Sequence, residues 1–161
     1  MLPTSITQFK KFGGFLMVKQ IFLSIGMFLF LTFSVGCGNS SPESSVEVFM
    51  DVMSEVVDDG EFTSSQRDRL GKVIPNSDKS LIFNRFETTA QEYKKLYKEL
   101  PVNVKLEYEI LSDETKISEN GKNAYVKVKS KITMPNGSEE EDSTDFLLKK
   151  NDSGDWLIFT R

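Results

Sequence analysis

The sequence predicts an α+β domain, with helices first and an antiparallel sheet of about four strands after them. Apolar residues recur at helical spacing between Val46 and Leu100, and after Pro101 the period drops to two. Turn signals at Asn120-Gly121, Pro135-Asn136-Gly137 and Asn151 to Asp155 then divide the alternating stretch into hairpins.

Ser41-Pro42-Glu43 opens the first helix: serine as N-cap, proline at the first helical position and an acid near the positive end. Val46, Phe49, Met50, Met53, Val56 and Val57 form a one-sided stripe, which Asp58-Asp59-Gly60 stops. Thr63-Ser64-Ser65-Gln66 reads as a capping box for a short second helix ending at Gly71. A third helix is expected from about Lys79 to Glu99. Its stripe is Leu81 or Ile82, then Phe86, Ala90, Tyr93, Leu96, Tyr97 and Leu100, and Pro101 terminates it.

Val102, Val104, Leu106, Tyr108 and Ile110 alternate with polar residues, as in a half-buried strand. Ala124, Val126, Val128, Ser130, Ile132 and Met134 alternate with Lys127, Lys129 and Lys131 in a second. Pro135-Asn136-Gly137 suits a three-residue loop that pairs Met134 with Ser138. Lys131 then faces Glu141, Lys127 faces Asp145 and Val126 faces Phe146. A two-residue loop would set Ile132 against Glu141, so matching charge to charge selects the longer loop. A five-residue loop, Asn151 to Asp155, pairs Lys150 with Trp156 and hence Leu147 with Phe159. Tyr125, Leu147 and Phe159 should therefore form a row across three strands, with Leu157 diagonally near. This row lies on the face opposite Val126, Phe146 and Leu148. Either the 61–78 segment covers it or it is a surface for a partner protein or a second copy of the chain.

Ahead of this domain, Ile21 to Phe33 is an almost wholly apolar run of 13 residues that follows Lys19. A bilayer span takes about 20 residues, whereas a secretory signal core has this length and these flanks. Ser34-Val35-Gly36-Cys37 resembles the lipobox of bacterial lipoproteins, except that serine stands where leucine is usual. The resemblance implies cleavage between Gly36 and Cys37, diacylglycerol on the Cys37 thiol and acylation of its new amine. Residues 1–36 are thus expected to be a signal peptide, 37–41 a lipidated tether and 42–161 a single domain. Met17-Val18-Lys19-Gln20-Ile21 is already a complete signal start, so translation is expected to begin at Met17; terminal sequencing of the precursor tests that. Gly38 after the cysteine lacks the acid that keeps some lipoproteins in the inner membrane, which leans toward the outer membrane or cell surface.

From Cys37 onward, 125 residues carry 17 basic and 24 acidic groups, a net charge of about −7. That excess opposes nucleic-acid binding, which needs a concentrated basic surface. One cysteine permits no internal disulfide, and the absence of histidine removes the commonest general base and metal ligand.

Four stretches together resemble small bacterial lipoproteins whose domain is similar to nuclear transport factor 2 (NTF2). They are Ser41-Pro42-Glu43 before the first helix, Asp59-Gly60-Glu61-Phe62, Asn123 to Val128, and Gly154-Asp155-Trp156-Leu157-Ile158. The resemblance spans 42–161 and implies a curved sheet wrapped around helices as an open cone. This chain departs from that pattern in a rather long insertion between the first and third helices, which bears on the shape of the pocket. Members include enzymes, ligand binders and lipoproteins without an assigned role, so the fold leaves function open.

Enzymes of this shape use Asp, His or Tyr deep in the cone. Tyr93, Tyr97 and Tyr108 lie on apolar stripes and could reach it, but amphipathic core tyrosines read the same way. No carboxylate interrupts the apolar faces of the best helix or strands. Glu139 to Asp142 offers oxygen ligands, yet alternation splits them between two faces and Lys131 neutralises one. No catalytic residue, metal or cofactor is therefore expected. The expected function is a membrane-anchored, non-catalytic binding domain with Tyr125, Leu147, Leu157 and Phe159 as its candidate interface. The alternative is a small-ligand binder or enzyme using the cone.

Overall fold

Ser41 and Gly60 bracket the first helix as their chemistry dictates. In the computed structural model, which describes residues 41–99 and 104–159, helix α1 spans Pro42–Asp59. The Ser41 hydroxyl accepts from the Ser44 amide at 3.2 Å, and Gly60 ends the helix at φ +63°. The buried face takes in the whole expected stripe and adds Ser45 and Val52. Helix α2 is Ser64–Leu70, and its capping box is complete: Gln66 N to Thr63 Oγ1 is 3.3 Å and Thr63 N to Gln66 Oε1 is 2.6 Å. Helix α3 is Lys79–Glu99. It buries Ile82 and leaves Leu81 52% exposed, which resolves the choice between them.

The strands are β1 (Lys105–Ile110), β2 (Lys116–Ile117), β3 (Asn123–Thr133), β4 (Glu139–Lys150) and β5 (Trp156–Phe159). The antiparallel sheet runs β1-β3-β4-β5, and the two-residue β2 pairs with β3 beyond the end of β1. A turn of 3₁₀ helix, Ser112–Glu114, separates β1 from β2. The fold is thus α+β, with five strands where the alternation alone indicated about four.

Both hairpin registers are as derived. Lys131 faces Glu141, Lys127 faces Asp145 and Val126 faces Phe146. Met134 N donates to Ser138 O across the three-residue loop, whose Gly137 adopts φ +79°. In the last hairpin Lys150 faces Trp156 and Leu147 faces Phe159.

The helices lie on one face of the sheet. Phe49 of α1 meets Phe86 of α3 at 5.3 Å and Phe146 of β4 at 5.5 Å, both edge-on. Val126, Val128, Leu148, Trp156 and Ile158 close this core from the sheet side. The buried Ser45 hydroxyl donates to Trp156 O at 2.7 Å, tying the start of α1 to the start of β5. The 61–78 segment follows the β5 edge, where Val73 O accepts from Ile158 N at 2.8 Å. Leu70, Val73 and Ile74 are buried there.

Candidate interaction surface

Side chains alternate across a strand, so the odd-numbered residues of β3, β4 and β5 face away from the helices. At the hairpin end near Pro135 this outer face is charged. Lys127, Lys129 and Lys131 of β3 run between Glu107 and Glu109 of β1 and Glu139, Glu141 and Asp145 of β4. Lys131 forms an ion pair with Glu139, and Lys127 one with Glu114. Both lysines are held above their ordinary pKa, first by these hydrogen bonds.

Toward the opposite end the face becomes apolar. Tyr125, Leu147 and Phe159 are in register across β3, β4 and β5, and Leu157 lies one strand diagonal away. All four candidate interface residues are brought together. Tyr125 is 46% exposed, and Leu147, Leu157 and Phe159 are half-buried. The 61–78 segment meets the β5 edge, where Val73 O accepts from Ile158 N. Lys149, in register with Leu157, holds its ammonium 4.7 Å above the Phe159 ring.

Ile117 lies at this end of the sheet but is paired with the buried Ala124, so it faces the helix side rather than the outer corner; it was not visible in the sequence. It is 55% exposed on β2, beside Lys116, which pairs with Tyr125. A two-residue strand carries no periodicity, so only its apolar character between polar turns could have marked it.

The three tyrosines weighed as catalytic candidates are built into the core. The Tyr97 hydroxyl donates to Val57 O, and burial pushes its pKa up to about 12. Tyr108 donates to the Asp51 carboxylate, and burial with that acid keeps it protonated. Burial raises Tyr93 in the same direction. All three therefore stay neutral, and Tyr97 and Tyr108 donate hydrogen bonds.

Around Gly60, Phe62, Thr63, Ala90 and Gln91 an open groove of about 390 Å³ lies outside the sheet, rimmed by Glu87 and by the Lys94–Glu61 ion pair at 2.6 Å. Among the described residues no cluster of three or more metal-ligating side chains occurs, and no helix is long and apolar enough to cross a membrane. Met17, Ser34, Gly36 and Cys37, which carry the start, cleavage and lipidation readings, lie outside the described residues, as does Pro101.

No protein-family model matches the chain, and neither does any curated protein. Among solved structures, it is similar to a Campylobacter jejuni protein described as an NTF2-like transpeptidase. The identity is 17% and the TM-score 0.42, over 76% of this chain and 100% of that one. It is also similar to the intermembrane-space region of the chloroplast protein ARC6, at 13% identity and TM-score 0.34, over 78% and 95% of the two chains. A Xanthomonas campestris chain described as a calcium/calmodulin-dependent protein kinase II association domain shares 14% identity at TM-score 0.35, over 81% and 91%.

Proposed function

We propose that this chain is a bacterial lipoprotein whose NTF2-like domain acts by binding rather than by catalysis. It is exported, cut between Gly36 and Cys37, and held on a membrane by acyl chains on Cys37. The outer membrane or the cell surface is favoured by the absence of an acid after the cysteine. Two or three acyl chains anchor stably, whereas one gives only marginal attachment.

The observation that carries the binding reading is the corner of Tyr125, Leu147, Leu157 and Phe159. Exposed apolar clusters mark contact surfaces, and the helices cover the other face of this sheet. The space between helices and sheet supports the same reading, because Phe49, Phe86, Phe146 and Trp156 occupy it and are buried. The contact is with a protein partner, a second copy of the chain or the anchoring surface itself.

Metabolic labelling with a palmitate analogue tests the anchor. Label is expected on the wild-type chain and none on Cys37→Ala; equal labelling of both would refute it. Sedimentation of the soluble domain tests self-association. A strict monomer unchanged by Leu147→Glu removes the second copy from the occupants.

A further inference from the structure

We infer that the apolar corner of the outer sheet face docks on the anionic lipid surface of the membrane that holds Cys37. This rests on the lipoprotein reading above and names the partner of its contact surface.

The first observation is where the tether leaves the domain. Four residue steps join Cys37 to Ser41, a reach of at most about 14 Å. Helix α1 begins at Pro42, and one turn into it Ser45 is bonded to Trp156 O, at the first residue of β5. Trp156 faces Lys150, and Lys150 N donates to Lys122 O at 2.9 Å. The tether therefore emerges at the end of the sheet where Lys122, Lys150 and Trp156 share a row. Tyr125, Leu147 and Phe159 lie three residues further along, about 10 Å at the rise of a strand.

The second observation is what gathers at this end. Tyr125 is one of the three large apolar side chains that stand out as exposed among the described residues, and Leu147, Leu157 and Phe159 beside it are half-buried. Lys116 and Lys149 flank the corner on the outer face and are exposed, while Lys122 and Lys150 lie at the same end of the sheet in the row of Trp156. The Lys149 ammonium sits over the Phe159 ring of the corner, and Lys150 sits over Trp156 at 5.3 Å on the helix side. Apolar and aromatic side chains with a lysine rim suit a headgroup boundary, because the alkyl stems lie along apolar surface while the charges reach phosphate.

The third observation is charge polarity. The domain is acidic, yet the run Glu139 to Asp142 lies at the opposite end of the sheet, and Asp58 and Asp59 close α1 near Lys105 there. An anionic surface repels that end more strongly than the end where the lysines gather. Glu119 and Asp152 at the turn tips, Asp155 beside Trp156 and Glu43 in the first turn of α1 offset the four lysines at this end, so the apolar corner carries the docking.

The test uses the lipidated chain, purified from membranes of the expressing bacterium. It is reconstituted in vesicles of phosphatidylethanolamine and phosphatidylglycerol, with detergent micelles as reference. A water-soluble amine reagent then labels lysines, which are read peptide by peptide. In vesicles, labelling of Lys116 and Lys149 is expected to fall about fivefold, while Lys94 and Lys105 stay unchanged. Leu147→Glu should restore labelling of Lys116 and Lys149, and Lys149→Glu that of Lys116. Acyl mass on Cys37 with equal labelling at both ends overturns the docking and leaves the anchor standing. A chain without acyl mass overturns both. Protection that persists in micelles and grows with protein concentration marks a second copy and also overturns the docking.

Discussion

Replacing Gly60 with alanine separates two costs that the structure places on one residue. Gly60 sits at φ +63°, where a Cβ costs about 1–2 kcal/mol, partly offset by reduced freedom of the unfolded chain. A Cβ there would also stand 2.8 Å from Lys94 N and 2.9 Å from Lys94 Cα. Both are backbone atoms of α3, so no side-chain rotation relieves the clash. The helix must move, and overpacking of this kind costs about 1–3 kcal/mol. The total expected for Gly60→Ala is about 2–4 kcal/mol. Gly137→Ala is the control: φ is +79° and nothing lies within 4 Å of the added Cβ, so only the conformational cost of about 1 kcal/mol remains. Urea unfolding of the soluble domain, followed by fluorescence of the sole and buried Trp156, measures both variants. The difference corresponds to a melting-temperature gap of roughly 4 °C or more. Equal losses, within about 0.5 kcal/mol, would refute the close approach of the α1 cap to α3.

Thr63→Ala removes one half of the capping box and should cost about 1 kcal/mol in the same unfolding assay. Leu148→Ala should cost about 2–4 kcal/mol and Leu147→Ala under about 1, since they are neighbours on opposite faces. Similar costs would mean the parity of β4 is wrong. Acidification gives a prediction with a definite sign. Burial is the leading cause that raises Glu47, Asp58 and Glu92 above the usual carboxylate range, with Asp51 and Asp59 adding to the first two. A carboxyl that binds its proton more tightly when folded stabilises the fold as pH falls toward its folded pKa. Thermal midpoints should therefore be higher near about pH 5.5 than near about pH 7.5. Glu61 and Glu114 are lowered by hydrogen bonds from lysines, so they act the other way, but only below the usual carboxylate pKa. A midpoint that falls steadily over that interval contradicts the assignment.

What could be read from the chain is what neighbouring residues decide. Ser41, Pro42 and Gly60 delimit α1, and Thr63 with Gln66 opens α2, because caps act within one helical turn. The β3–β4 register followed from loop length and charge matching. Its ion pairs did not: Lys131 faces Glu141 across the strands yet pairs with Glu139, and Lys127 reaches Glu114 instead of Asp145. Register fixes Cα positions, while a four-carbon stem chooses among several acids around it. Contacts such as Ser45 with Trp156 O join residues far apart in sequence, and serine gives no sign of which carbonyl it will meet.

The candidate surface divides along the same line. Two hairpin registers, each local, combine to place Tyr125, Leu147 and Phe159 in one row, so the composition of the corner was legible. Its exposure was not, because that depended on where the 61–78 segment runs. The reason emerges from the edge of the sheet. Strand β5 is an edge strand, and Ile158 is buried with an outward amide that needs an acceptor. Val73 O supplies it, and Leu70, Val73 and Ile74 bury their side chains beside it. A segment spent on closing that edge cannot also lie across the outer face. With the segment engaged at that edge, Tyr125 is exposed and Leu147 and Phe159 half-buried on the outer face, and their row is fixed by the two hairpin registers alone.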